Sequence, residues 1–394
     1  MVQVLQRSTS LMKMLRGGNY PRDRQPLTPG TPQQQLPALG NKVVRTPILV
    51  EEKHVHPTTP RPEPSSGSNK LTRMWQNIRR RGRDESAPRH GSASFVLHGE
   101  DAMAVGPLYH IVADGISTTT HHSTSAAPSL SPSPSAVLAR ALVHAVEHVL
   151  LHDPPPSSLA DFEHMVIRGI LTAQALCQHV SSTMGSTLVV ALVHAKHLFT
   201  FSIGDSKCLV LRKGRIVYET LAVMKEFNVP WTVTHHALRP HMYVVQRIPL
   251  KKLDIVLSFS DGFGDNVYKD DLVNLLHVTA TPSDKCHRLL QHARALNDVS
   301  KETAFPFSAA AAAAYVARAK EDESSETLQR RDDLSKRYES KWPQLLSRQV
   351  LVASSTLHDP PHRDFHYSMA QLYRMATLKK KKPDDISIAL LEYG

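Results

Sequence analysis

Residues 186–220 read STLVVALVHAKHLFTFSIGDSKCLVLRKGRIVYET. Four apolar runs follow one another, STLVVALVH, HLFTFSIG, CLVLRK and RIVYET, with only AK, GDS and KG between them. Such short connections are hairpin-length, so the stretch predicts an antiparallel meander with turns at 195–196, 204–206 and 213–214. Two more apolar runs, LDIVLSFS (253–260) and DISIALLEY (385–393), come much later. Continuous apolar runs suit strands covered on both faces. Upstream, AVLARALVHAVEHVLL (136–151) and DFEHMVIRGILTAQALCQHV (161–180) carry apolar residues at helical spacing. DPPPSS separates them, Asp161 is a start signal, and Phe162 and Met165 read as core. Helices ahead of a meander, with separate strands returning, imply an α+β sandwich: two antiparallel sheets covered by helices.

Outside this core the chain changes character. Of its 394 residues 41% are hydrophobic, enough for a core, but 27 are proline, many of them clustered. Residues 1–90 form a Pro-, Gln-, Arg- and Thr-rich extension of little periodicity, and 91–394 the foldable domain. The opening MVQVLQRSTSLMKMLRGG contains no acid, and on a helix Val4, Leu5, Leu11, Met12 and Leu15 share a side. Two readings stand for it, a mitochondrial presequence or a basic tail. KLTRMWQNIRRRGR (70–83) is either a solvated linker or a surface for RNA. The net charge of +11 suits an acidic partner such as a ribonucleoprotein, and it also suits mitochondrial import. Cys177, Cys208 and Cys286 lack metal-ligand spacing and read as buried thiols in a reducing compartment. No apolar run in the sequence has the length of a membrane span. His121–His122 has no cysteine or carboxylate at ligand spacing, so zinc is not expected there. Residues 320–366 look like a charged insertion, either a solvated helix or unstructured, and the lysines of LKKKKPDD read as a solvated run or as an attractor for a phosphorylated partner.

Carboxylates recur where apolar runs end. FVLHGEDA supplies Glu100 and Asp101, YHIVADG supplies Asp114 and Gly115, and TFSIGDS supplies Asp205. IVLSFSDGFGD supplies Asp261 and Asp265, and KKPDDISIALL supplies Asp384 and Asp385. Each motif alone reads as a turn or a cap. If the ends converge, the carboxylates repel one another and need cations. Oxygen-only donors select hard ions, Mg²⁺ or Mn²⁺. A pair of such ions activates a water and neutralises charge in phosphoryl displacement, which makes metal-assisted phosphate-ester hydrolysis the reaction class.

The ordered set GED, ADG, GST…GDS, SDGFGDN and PDDIS resembles the metal-dependent protein phosphatases of type 2C. FNVPWTV (227–233), FPFSAAAA (305–312) and KPDDISIALLEY are most similar to the small mitochondrial branch of that family. The resemblance implies a four-layer α-β-β-α sandwich with two Mg²⁺ or Mn²⁺ ions in a cleft at one end. It implies that Asp114 bridges the ions and that the Gly115 carbonyl ligates one of them. Asp261 and Asp384 would hold the other, with Glu100 and Asp101 acting directly or through water. Asp265 would stand beside the site, Asp205 would tie a turn, and Asp385 would cap a strand behind the metal ligands. The implied substrate is phosphoserine or phosphothreonine in a protein.

The chain also departs from that pattern. Ile116 and Ser117 stand where the family continues in glycine, and the histidine often found there is missing. Ser182 and Thr183 stand where many members place an aspartate for a third ion. No phosphate-gripping arginine is identifiable at its usual place, and Arg89, upstream of the first expected strand, stands as the candidate. The alternative to an active enzyme is a degenerate phosphatase domain serving as a binding or scaffold subunit, for instance in a mitochondrial ribonucleoprotein or ribosome-assembly complex.

Overall fold

The computed structural model describes residues 88–117, 132–181, 184–295, 305–319, 324–346, 349–351, 366–378 and 381–394. The expectations for residues 1–87, for His121–His122 and for Ser182–Thr183 fall outside them.

The sandwich is present. One sheet takes β2 (Asp101–Val105), β3 (Tyr109–Ser117), β5 (Leu188–His194), β6 (His197–Ile203) and β11 (Val244–Pro249), in the order β11-β6-β5-β3-β2, with β4 (Met184–Ser186) pairing β3. The other takes β1 (Arg89–Phe95), β7 (Lys207–Arg212), β8 (Arg215–Glu219), β12 (Ile255–Phe259) and β14 (Ile386–Glu392), in the order β1-β14-β12-β7-β8. All pairings within these two sheets are antiparallel. A small third sheet joins β9 (Ala222–Glu226) to β10 (Val229–Pro230) and, in parallel, to β13 (Gln349–Leu351).

Burial explains the apolar runs. Val112, Val189, Val193, Cys208, Val210 and Val256 fill the layer between the sheets. The alternate residues of the same strands face helices. Ile111, Val190 and Phe199 meet α1 (Pro134–His152) and α2 (Leu159–Leu176) on one outer face. Leu209, Leu257 and Ile388 meet α4 (Lys269–Leu276) and α5 (Pro282–Ala295) on the other, α3 being the short turn Asp261–Gly264. Each fully buried Leu, Ile or Phe contributes about 1.5–3 kcal/mol, so both faces of every central strand are used. Pro134–His152 has the length and composition of a membrane-crossing helix, yet its Leu138, Leu142 and Val146 are buried against this sheet. That is how a core helix packs.

Two expectations change. The GDS turn is not a hairpin: β6 pairs with β5 and β11, whereas β7 pairs with β12 and β8. The chain crosses between sheets there. Gly204 has φ +88° and lies where a Cβ would meet Thr187 Cγ2 at 2.6 Å, while the Thr187 and Ser206 hydroxyls bond at 2.8 Å across the step. Only glycine takes that backbone and that contact cheaply. Within the insertion, α7 (Ser325–Tyr338) is a helix but not a solvated one. Its Leu334 and Tyr338 are buried among Tyr315 of α6 (Pro306–Arg318) and Leu372 of α8 (Met369–Ala376).

Candidate active site

The strands deliver their acids to one end of the sandwich. Asp101 and Asp114 are directly opposed in the β2–β3 register. Like charges placed this way are destabilising unless something lies between them. Thr187 pins Asp114 from behind: its hydroxyl accepts the Asp114 N–H at 3.3 Å and its N–H donates to the Asp114 carbonyl at 2.8 Å. Asp261 follows β12, and Asp384 and Asp385 precede β14, so the β12–β14 pairing brings these ends side by side. The approach is close enough that a Cβ on Gly262 would stand 2.0 Å from the Asp385 carbonyl oxygen. Any side chain there would push the two segments apart.

The charge states record the crowding. Asp114 is 8% exposed, and burial, with Asp261, Asp101, Asp384 and Asp205 around it, pushes its carboxyl well above the usual carboxylate range. Burial and the Asp261 charge raise Asp205 to about 8. Burial, together with Asp261 and Asp385, raises Asp101 to about 7. Asp265 and Asp384 are each raised to about 6, chiefly by burial. Asp261 alone of this group is held low: burial works against it, and the Lys382 ammonium together with hydrogen bonds from Lys382, Asp114 and the Gly262 N–H outweighs burial. Among the described residues one oxygen each of Asp205 and Asp261 is buried without a hydrogen-bond partner, and the buried Asp101 oxygens have only the Ser260 and Ser387 hydroxyls near them.

Asp385 does not cap its strand. It clasps a loop, Oδ1 accepting the N–H groups of Leu97 (2.5 Å) and His98 (2.7 Å), and Oδ2 those of Glu100 (2.6 Å) and Asp101 (3.2 Å). Burial opposes ionisation there, and the four donors hold the carboxyl below its ordinary value. The clasp sets where Glu100 and Asp101 stand. Glu100 itself accepts from the Ser133 hydroxyl at 2.7 Å, the residue that caps the first helix, and its carbonyl accepts the Gly115 N–H at 3.1 Å.

The Ile116–Ser117 departure also has a structural form. Strand β3 runs on through it, pairing Gly115 with Ser186, Ile116 with Gly185 and Ser117 with Met184. Arg89 lies inside β1, at the far end from the acids. It pairs with Glu392 while Phe95 pairs with Ile386, so a phosphate at the acidic end is out of its reach.

Of the lysine run, Lys381 and Lys382 are described, and neither is simply solvated. Lys381 Nζ donates to the Ala293 carbonyl at 3.0 Å, at the end of α5. Lys382 turns inward. Its Nζ contacts Asp261, Asp265 at 3.0 Å and Asp384 at 3.3 Å, and its side chain is 19% exposed. Beside these residues a cleft of about 520 Å³ is lined by Phe95, Leu97, Arg294, Lys381, Pro383 and Asp384. The signal in the sequence was the position of Lys382, two residues ahead of an aspartate already named.

The donor set suits hard divalent ions. It is oxygen-only, crowded, and contains buried oxygens short of donors among the described residues. Among the described residues, however, no three acid, histidine or cysteine side chains already stand in ion-holding geometry. Three of the carboxylates gather on the Lys382 ammonium instead.

A family model described as protein phosphatase 2C matches residues 97–299. The matched segment contains Glu100, Asp101, Asp114, Asp205, Asp261 and Asp265, and Asp384 lies beyond it. Among curated proteins, "Protein phosphatase PTC7 homolog fig" of Drosophila simulans is 31% identical over 135 residues, 31% of this chain and 43% of that protein. "Probable protein phosphatase 2C 1" of Oryza sativa subsp. japonica is 24% identical over 117 residues, 29% of this chain and 35% of that protein. The alignments thus span less than half the length of these relatives. Among solved structures, the photosystem II phosphatase PBCP is 17% identical, with a TM-score of 0.48 over 78% of this chain and 99% of that one. The catalytic domain of the serine/threonine phosphatase PstP, in complex with two manganese ions, is 21% identical, with a TM-score of 0.42 over 52% of this chain and 91% of that one.

Proposed function

Because this chain belongs to the protein phosphatase 2C family, we propose that it hydrolyses phosphoserine and phosphothreonine in proteins, using two Mg²⁺ or Mn²⁺ ions held at the acidic end of the sandwich. The observation that carries this reading is the convergence of Asp101, Asp205, Asp261 and Asp384 on buried Asp114. When bound, the ions supply a water activated at neutral pH and offset the negative charge of the phosphoryl group.

The residues divide the remaining work. Asp114 would face both ion positions and the Gly115 carbonyl one of them, with Glu100 and Asp101 on one side and Asp261 and Asp384 on the other. Asp385 keeps Glu100 and Asp101 in place through its four N–H contacts. Thr187 ties Asp114 to the Gly204–Ser206 crossover. The cleft beside Asp384, with Arg294 and Lys381 in its wall, would receive the polypeptide that flanks the phosphorylated residue. The test is Mn²⁺-supported hydrolysis of p-nitrophenyl phosphate or a phosphopeptide. Asp114→Asn and Asp261→Asn should each remove it, and activity surviving both changes would sink the proposal.

A second reading is favoured by the unbroken β3 strand at Ile116–Ser117 and by the ammonium among the acids. On it the domain is a degenerate scaffold whose basic arm, residues 1–90, holds a ribonucleoprotein. Stable co-purification with a large RNA-containing particle would support it, and a free monomer in cell extract would count against it. On either reading the acid-free N-terminus proposes a mitochondrial address, to be tested by import of the full chain into isolated mitochondria.

A further inference from the structure

The lysine at the centre of the acids has no part in the chemistry described so far. We propose that the Lys382 ammonium is a resident counter-cation that occupies the Asp261–Asp384 side of the centre and must withdraw before an ion binds there, so that Lys382 sets the affinity of the protein for metal. The inference rests on reading the acidic cluster as a metal centre.

The position is built rather than accidental. Asn266 Nδ2 donates to the Gly262 carbonyl at 2.7 Å and to the Lys382 carbonyl at 3.0 Å. The backbone of Lys382 is therefore fastened to the loop that carries Asp261 and Asp265. Pro383 follows at once and restricts the chain on the other side. The ring of Phe307 stands 5.6 Å from Nζ and closes the back of the site. From that anchorage the side chain reaches Asp261, Asp265 and Asp384 together.

An ammonium is a compact point charge with donors that can turn toward each oxygen. Three carboxylates at hydrogen-bond distance offset its burial. Two of the three, Asp261 and Asp384, carry the oxygens a small divalent ion would take at roughly 2.0–2.1 Å, close enough that cation and ammonium cannot share the space. The carboxylates are accordingly gathered on nitrogen, and no three of the acids stand in ion-holding geometry among the described residues. On the other side neither Asp101 nor Asp114 meets an ammonium among the described residues, and the buried Asp101 carboxyl has the Ser260 and Ser387 hydroxyls as its donors. The two sides of the centre therefore start from different states. The Asp261–Asp384 side alone holds a tethered cation, on a flexible four-carbon stem that can swing away.

The experiment titrates Mn²⁺ into the metal-stripped full chain by calorimetry, comparing the natural protein with Lys382→Met. The variant should bind about ten- to a hundredfold more tightly, as expected if the lysine-withdrawn state is about 1–10% populated in the natural protein. It should also melt at a lower temperature without metal, with the gap narrowing at saturating Mn²⁺. Equal or weaker binding by the variant overturns the proposal. If Lys382→Met does not fold, the natural protein decides alone. Lysine acylation mapped by mass spectrometry should show Lys382 protected without metal and increasingly modified as Mn²⁺ is added, and constant or falling modification overturns the idea. The two readings fail differently. Equal Mn²⁺ affinity with hydrolysis intact removes only the role of Lys382, whereas no uptake by either chain removes the metal centre as well.

Discussion

The two ends of β14 carry acids of similar burial and opposite meaning. At its C-terminal end Glu392 is 13% exposed and sits between Arg89 at 2.5 Å and Lys285 at 2.6 Å. At its N-terminal end Asp261 is also 13% exposed, but it shares the single Lys382 ammonium with Asp265 and Asp384 while Asp101, Asp114 and Asp205 crowd close by. Burial does not distinguish the two ends. Charge balance does. The far end is neutralised within the chain and is structural. The near end carries an excess of negative charge that folding alone would not retain, because unpaired buried carboxylates cost stability. On the proposed reading, bound cations balance it.

The largest test of this contrast lies at the unbalanced end. Asp114→Asn or Asp261→Asn should lower Mn²⁺-dependent hydrolysis of p-nitrophenyl phosphate by about a hundred- to a thousandfold. Asp114→Asn should stay folded, since it eases the crowding with Asp261, Asp101 and Asp384, whereas Asp261→Asn gives up one of the three carboxylates on Lys382 and should melt lower. Circular dichroism melting alongside the assay checks both halves.

Next comes the clasp. Asp385→Ala strips the acceptor from four part-buried N–H groups and should cost about 2 kcal/mol in chemical denaturation. The pH dependence gives a second readout. The folded-state pKa of Asp385 is depressed, so its stabilisation is present above the unfolded value near 4 and is lost as pH falls through the lower folded value. Asp385→Asn should lack this acid-side loss.

The cleft predicts a smaller effect. Arg294→Glu should raise KM for an acidic phosphopeptide roughly fivefold, about 1 kcal/mol, with p-nitrophenyl phosphate kinetics unchanged. An equal change for both substrates would remove Arg294 from peptide recognition. Smallest of all is the balanced end. Arg89→Ala leaves Glu392 with Lys285, so stability should fall by less than about 1 kcal/mol and kcat and KM should not move. A rise in KM would return Arg89 to the site despite its distance along β1.

Much of this was legible in the chain. The apolar runs located the central strands because their residues are buried on both faces, and the helices at 136–151 and 161–180 appear within a few residues at Pro134–His152 and Leu159–Leu176. The recurrence of acids at strand ends identified the residues that gather around Asp114. The errors share a cause. A two-residue turn and a two-sheet crossover have similar composition, so GDS reads as a hairpin until Thr187 and Ser206 are seen to meet. A lysine among lysines reads as solvated until Asn266 is seen to hold its backbone against the Asp261 loop. Asp385 reads as a local cap because its four donors lie some 285 residues earlier in the chain.

The sequence by itself determined which segments are strands, which residues end them and which ions such oxygen donors favour, because periodicity and side-chain chemistry are local properties. Tertiary structure decided which acids face one another, which cation stands among them and which arginine is too far away. Those are distances through space between segments remote in the chain, and Coulomb energy follows those distances rather than sequence order.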